Sequence, residues 1–282
     1  MRPLSGESAA LVGSRVQPAP QPLRTAVIRA RLPSTVRSVQ VFGRLDSTNA
    51  ELLRQVRRGA RPVTVCVADG QTAGRGRGGR SWRSPSGYNV YVSVLERAPR
   101  DPAARTRLPL WVGIRIVEAL QDAGLQRLRL KWPNDVLWRG AKLGGVLAEA
   151  VALPSGPGVV VGVGLNLWVP AALRRELGRP VADVREALGG RPLAPREIWV
   201  ARMVEAVMAG SRLAREADGA LLTARWEPLD ALWGTTVRLP PQVTGGGAEG
   251  VAQGIDTQGR LRVRVGREVL RLTTLEDRWV AG

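Results

Sequence analysis

The 282-residue chain contains no histidine and a single cysteine, Cys66. Without histidine, Ser-His-Asp and Cys-His nucleophilic catalysis are excluded. With one cysteine, an internal disulfide is excluded, and so are zinc sites of the usual Cys/His kind. Cys66 lies in VTVCVAD, a β-branched run, and reads as strand core. The disulfide-free chain fits a reducing, cytoplasmic compartment. No apolar run approaches the roughly 20 residues of a membrane span, and the N-terminus lacks the basic-then-apolar order of a signal peptide, so no membrane partner is expected. Chemistry here must run on Lys, Arg, Asp, Glu, backbone amides or a hard metal held by oxygens.

Lysine is almost as scarce. Of 42 basic residues only Lys131 and Lys142 are lysines, against 40 arginines. A chain that uses arginine nearly everywhere yet keeps two lysines 11 residues apart points to a need for an ammonium there. A compact point charge and a planar fork do not substitute for one another at a tight anion site. Asparagine is equally rare: Asn49, Asn89, Asn134 and Asn166 are all there are.

Positive charge is abundant, at +18 net, which raises nucleic acid as a partner. The charge is spread rather than blocked. Residues 1–45 carry +6, residues 46–229 carry +11, and residues 230–282 carry +1. A general arginine bias gives the same picture, so no specific DNA partner is expected.

Three regions follow from texture. Residues 1–38 form an N-terminal tail, rich in Pro, Ala and Gln up to about residue 22. Residues 39–229 alternate strand and helix patterns. VQVFGRL, VTVCVAD, YNVYVSVL and LRLKW read as strands, and KLGGVLAEAVAL and GVVVGVGLNL as a pair. Helices are expected after DSTN, over 106–123, and from Pro195 to about Glu216. Residues 230–282 are short strands between Gly-rich turns, with DTQG as a hairpin turn, and read as a small β-barrel.

The most informative stretch is GQTAGRGRGGRSWRSP (70–85), with four arginines, one tryptophan and no acid. A disordered arginine–glycine tract would not sit between two good strands, and a connection of about 18 residues in a compact domain is usually functional. Its glycines let backbone amides approach an anion, and Arg75, Arg77 and Arg80 offer guanidinium forks. Trp82 offers a flat face for a ring. Neither the Walker nor the Rossmann pattern is present. KWPND places Lys131, Asn134 and Asp135 about a rigid turn, where Asp135 is a candidate magnesium ligand shared with phosphate oxygens. AKLGG places Lys142 before two glycines, and GVGLNLW puts Asn166 at a strand end.

The set DSTN, GQTAGRGRGGRSWRSPSG, LKWPNDVL, AKLGGVLAE and VGVGLNLW, in this order, resembles the biotin protein ligases, over about residues 41–282. The resemblance implies an α+β fold: a mixed, mostly antiparallel sheet flanked by helices, of the class II synthetase-like kind, followed by an SH3-like β-barrel. It implies an ATP-dependent, AMP-forming reaction. Biotin and Mg-ATP give biotinyl-5′-adenylate, and a lysine of a biotin carboxyl carrier protein then takes the biotinyl group. The attacking amine belongs to the partner, which accords with a chain lacking histidine. Carried over by motif, Ser47, Thr48, Asn49 and Gln71 line the biotin site, with Gly144 and Gly145 beside it. Arg75, Gly76 and Arg77 form the closing loop, and Lys142 meets carboxylate and phosphate. Arg80, Trp82, Asn134 and Asn166 belong to the ATP side, and Lys131 and Asp135 sit between the two steps. Some family members carry an N-terminal DNA-binding domain; the short Pro-rich start here leads to the expectation of a form without one. The barrel's last segment, TTLEDRWVAG, departs from the more usual glycine-acid ending. Homodimers occur in the family, and the sequence does not choose between monomer and dimer. Two rivals stand at this stage: a lipoate-type protein ligase with related chemistry, and a basic nucleic-acid-binding protein.

Overall fold

The computed structural model describes residues 21–239 and 248–273. Most of the Pro-rich start and nearly all of TTLEDRWVAG lie outside them. The larger sheet has seven strands: β1 (Ser38–Leu45), β2 (Thr64–Gln71), β3 (Val90–Arg97), β4 (Leu128–Lys131), β5 (Asp135–Trp138), β6 (Ala141–Leu153) and β7 (Gly156–Leu165). Their spatial order is β1-β2-β3-β7-β6-β5-β4. Only β1 and β2 run parallel; every other pair is antiparallel. The mixed, mostly antiparallel sheet expected from the sequence is therefore present. β5, unread in the sequence, is four residues long and pairs back on β4 around the WPND turn, with Lys131 opposite Asp135.

Side chains alternate across a strand, so each strand feeds two faces. One face carries Val65 and Val67 of β2, Val90, Val92 and Val94 of β3, and Val161, Val163 and Leu165 of β7, all buried. It is covered by α3 (Pro102–Asp122) and α6 (Arg196–Glu216), which supply Leu108, Trp111, Ile114, Val200, Val204 and Val207 to the same core. α3 starts four residues earlier than its apolar spacing suggested. Asp101 caps it by accepting from the amides of Ala103 and Ala104, and Pro102 takes the first turn.

The opposite face carries Cys66, Ser93, Gly162 and Leu147 in one row, and Tyr91, Gly164 and Gly145 in the next. α2 (Thr48–Arg57) covers only part of it. Leu52 packs there with Cys66, Leu95, Leu153 and Val160 in a second, smaller core. Large residues give way to Ser and Gly beyond that cluster, and the uncovered floor is where the cavity lies.

Residues 23–37, grouped with the tail in the sequence, are part of the packed body. α1 (Thr25–Arg29) buries Ile28, and Leu23 and Val36 join the main core. The remaining helices are α4 (Ala171–Leu177), α5 (Val184–Ala187) and α7 (Gly219–Trp226). Four antiparallel strands, β8 (Thr236–Arg238), β9 (Glu249–Ile255), β10 (Leu261–Val265) and β11 (Glu268–Leu272), make the second sheet in the order β11-β10-β9-β8. DTQG turns the chain between β9 and β10, with Gly259 at φ +79°. This sheet docks on the larger unit through Trp132, whose indole donates to the Gly259 carbonyl at 2.9 Å. Among the described residues no helix is long and apolar enough to cross a membrane.

Candidate active site

The cavity, about 440 Å3, is roofed by the Gly/Arg loop and floored by β7 and β6. Gly162 and Gly164 set the floor. A Cβ on Gly162 would fall 2.2 Å from Asn49 Oδ1, and one on Gly164 would fall 2.5 Å from the Trp82 ring. Only hydrogen at these positions lets Asn49 and Trp82 lie flat against the strand. The two glycines are two residues apart, which on a strand is roughly 6–7 Å.

A neutral hydrogen-bonding cluster gathers over Gly162. Ser47 caps α2, its hydroxyl accepting from the Ala50 amide; Ser or Thr caps are worth about 1 kcal/mol. The Thr48 amide donates to Gln71 Oε1 at 2.9 Å, and Gln71 Nε2 donates to Ser84 Oγ at 2.9 Å. Ser93 Oγ lies 2.7 Å from Thr48 Oγ1 and 2.5 Å from Asn49 Oδ1. Ser47, Thr48 and Asn49 are buried and, with the half-buried Gln71, line the cavity, an arrangement suited to a neutral ligand with both donors and acceptors.

The loop is an ordered hairpin. Arg75 and Ser81 form a bridge, as do Gln71 and Ser84, and the Trp82 amide donates to the Gly74 carbonyl at 2.8 Å. Its tip, Arg77–Gly79, turns through Gly78 and Gly79, both at positive φ. Arg75, Arg77 and Arg80 all line the cavity. Arg75 pairs with Glu149 of β6 at 3.1 Å, so the loop reaches across β7.

Lys142 sits at the start of β6, where the register with β5 shifts. Bulges re-aim side chains. Here the result is that the Lys142 stem lies beside Gly145 on the cavity face. Its ammonium is 2.7 Å from Asp135 Oδ1 and 5.3 Å from the centre of the Trp82 ring. Trp82 Nε1 is buried without a hydrogen-bond partner among the described residues. A buried donor without a partner beside a cation and an open cavity suits a polar ligand atom.

The structure brings most of the sequence-level candidates together. Ser47, Thr48, Asn49, Gln71, Arg75, Gly76, Arg77, Arg80, Trp82, Asn134, Lys142 and Gly145 line the one cavity. Gly144 is directed elsewhere: a Cβ there would press on the Gly164 carbonyl and on Leu165. Asn166 lines a small recess behind Trp82, where its amide donates to the Ala182 carbonyl at 3.1 Å and bonds α5's approach to β6. Lys131 and Asp135 do not line the cavity. Asp135 is buried against the Lys142 ammonium, and among the described residues no three acidic, Cys or His side chains cluster. The arrangement does not fit a magnesium ion held by the protein itself. Glu149, Ser93, Gly162 and Gly164 went unread in the sequence. Period-2 alternation would have found them, since 145, 147 and 149 share a face, as do 162 and 164, and Ser93 is the one polar residue among apolar neighbours in YVSVL.

Fold and cavity together define an α+β domain whose cavity offers neutral hydrogen-bonding groups at one end and cationic groups at the other. The model of the biotin/lipoate A/B protein ligase family matches residues 41–166. The biotin--[acetyl-CoA-carboxylase] ligase of Mycobacterium tuberculosis is 35% identical over 82% of this chain and 84% of its own length. The bifunctional ligase/repressor BirA of Escherichia coli is 34% identical over 79% of this chain and 68% of its own. The chain belongs to the biotin/lipoate A/B protein ligase family. In fold it is similar to the biotin protein ligase from Aquifex aeolicus solved in complex with biotin and ATP, with a TM-score of 0.69 at 24% identity over 84% of this chain and 96% of that one.

Proposed function

We infer that the protein is a biotin protein ligase: it activates biotin with Mg-ATP to biotinyl-5′-AMP and transfers the biotinyl group to a lysine of a biotin carboxyl carrier protein. The observation that carries the reading is the placement, one strand step apart on β7, of a neutral cluster over Gly162 and an aromatic–ammonium pair over Gly164. Biotin has a neutral cyclic urea and a carboxylate. Ser47, Thr48, Asn49 and Gln71 offer the urea donors and acceptors. Lipoate's dithiolane offers those groups no partner, which disfavours it where a site is built for hydrogen bonds.

In the first step a biotin carboxylate oxygen attacks the α-phosphorus of ATP and pyrophosphate leaves. Two anions must meet, and Lys142 with Arg75, Arg77 and Arg80 offsets their repulsion. Trp82 gives a flat face for the nucleotide, with Asn134 and Asn166 on that side. Magnesium belongs to the reading as the companion of the ATP phosphates. In the second step the carrier amine attacks the carbonyl carbon and AMP departs. The hairpin over the cavity limits water, which would hydrolyse the mixed anhydride. Asp135 belongs to the second step through its ion pair with Lys142, and Lys131 faces Asp135 across the WPND turn. The reading includes a cytoplasmic setting, where ATP and the carrier are at hand. Specific DNA binding is no part of it, because the positive charge is spread along the chain.

The test is pyrophosphate exchange into ATP by the purified protein, with biotin, lipoate or neither. Biotin-dependent exchange is the expected result. Lipoate-dependent exchange would overturn the substrate, and no exchange with either acid in the presence of magnesium would overturn the ligase.

A further inference from the structure

We propose that Glu149 is a positioning residue, which fixes both the orientation of Asn49 and the register of the Gly/Arg loop over the cavity. The inference rests on the ligase reading for the identity of the ligand, but not for the geometry. Glu149 lies on β6 on the same face as Gly145 and Leu147, opposite Val160 of β7. One carboxylate oxygen, Oε2, accepts twice: from Asn49 Nδ2 at 2.7 Å and from an Arg75 guanidinium nitrogen at 3.1 Å. One donor comes from the first turn of α2, the other from the loop between β2 and β3. Glu149 is the point on the third strand, β6, where they meet.

The first bond sets a direction. Asn49 Nδ2 also donates to the Leu147 carbonyl at 3.3 Å, and its Oδ1 faces Ser93 Oγ at 2.5 Å. A flipped amide would set oxygen against both a carboxylate and a carbonyl. Glu149 therefore decides that Asn49 keeps its NH2 toward β6 and its oxygen toward β3, and with that the polarity the cluster presents to a neutral ligand. The second bond sets a position. Arg75 opens the hairpin through its bridge to Ser81, so holding Arg75 holds Gly76, Arg77 and Arg80 beyond it. The Arg75 and Glu149 side chains are 42% and 26% exposed, so solvent screens the pair and it adds little to global stability. Its effect is on where the loop sits. Misplacement of a binding group by about 1 Å can cost on the order of 100-fold in rate.

The test uses the full 282-residue chain, with Glu149→Ala and Glu149→Gln beside wild type. Trypsin supplies a readout independent of ligase activity, because the loop holds Arg75, Arg77, Arg80 and Arg83. Without ligand, Glu149→Ala is expected to be cut within the loop about tenfold faster than wild type, other sites being unaffected, as loss of hydrogen bonds to a charged group implies. In pyrophosphate exchange its KM for biotin rises about tenfold or more, and kcat falls with it as the loop arginines lose their places over the reacting groups. Glu149→Gln keeps an oxygen that accepts from both donors and recovers most of the loss on both readouts. The proposal is overturned by wild-type loop cleavage in Glu149→Ala, by cleavage raised evenly at all arginines, or by an unchanged KM for biotin in an active enzyme. Should wild type show no biotin-dependent exchange, the ligase reading fails while the trypsin measurement still decides the role of Glu149.

Discussion

The Lys142 ammonium is held 2.7 Å from the buried Asp135 carboxylate and 5.3 Å from the centre of the Trp82 ring. It is one of two lysines in a chain with 40 arginines, and it alone of the two reaches the cavity. A guanidinium is wider than an ammonium and would have to be seated between Asp135, Gly145 and Trp82. Lys142→Arg is therefore expected to lower biotin-dependent pyrophosphate exchange by about 100-fold or more, the scale of losing one electrostatic contact to a transition state. Activity close to wild type would show that charge alone suffices there and would remove the scarcity of lysine as an argument.

Substitution of Asp135 tests the two half-reactions separately. Asp135→Asn leaves an uncompensated partner for Lys142, but keeps the shape of the WPND turn. The expected outcome is a slower transfer from preformed adenylate to the carrier, by about tenfold or more if the carboxylate assists proton removal. Single-turnover transfer measures that step directly. Transfer at the full wild-type rate would show that Asp135 only anchors Lys142.

Much of this was legible in the sequence, and the illegible part has identifiable causes. The long strands β2, β3, β6 and β7 announced themselves by β-branched runs, and α6 by its apolar stripe. β5 did not, because four residues carry too little pattern and its existence depends on pairing with β4 and β6. α1 is five residues long and is held by tertiary packing of Ile28 and not by propensity. Residues carried by motifs were legible and gather at one cavity, whereas those brought to it by register were not legible. Glu149 and Ser93 acquire their roles because β6, β7 and β3 bring them to one face. Gly144 and Gly145 look alike in sequence, yet alternation sends one to the cavity and the other to the core.

The two floor glycines should fail differently. Gly162→Ala displaces Asn49, so it is expected to raise the KM for biotin more than that for ATP. Gly164→Ala displaces Trp82, so the KM for ATP should suffer more. Each change forces a side chain off a surface it now touches, a cost of about 1–3 kcal/mol and so about 5- to 150-fold in the affected constant. Steady-state kinetics with each substrate varied in turn is the measurement. Equal effects of both variants on both constants would mean that the neutral cluster and the Trp82 face do not serve separate parts of the ligand.

Cys66 offers a clean probe of the floor. It is fully buried under α2 with Leu52, Leu95 and Val160, and burial pushes its thiol pKa up. The thiolate is the reactive form, so the native protein should resist alkylation at pH 8 and react with one equivalent of reagent only in denaturant. Rapid native-state labelling would show that α2, and with it Ser47, Thr48 and Asn49, opens readily from the sheet.

Glu96 should make stability depend on pH in a direction opposite to that of paired carboxylates. It lies near the end of β3, 5% exposed, and burial pushes its pKa from the ordinary 4.5 to about 7, with Arg215 at 3.9 Å only partly opposing the shift. The folded state thus binds this proton more tightly than the unfolded state does. Its contribution is fully present below pH 4.5 and is lost as pH rises through about 7. Asp230 is shifted upward by burial in the same sense, so a single substitution is needed to isolate Glu96. Glu96→Gln, which is neutral at every pH, should leave stability nearly unchanged at pH 5 and raise it at pH 8.5 by on the order of 1–3 kcal/mol. Urea unfolding of the two proteins at both pH values tests this. If the substitution stabilised neither condition, or stabilised the acidic one more, then Glu96 is charged in the folded protein and Arg215 compensates it in full.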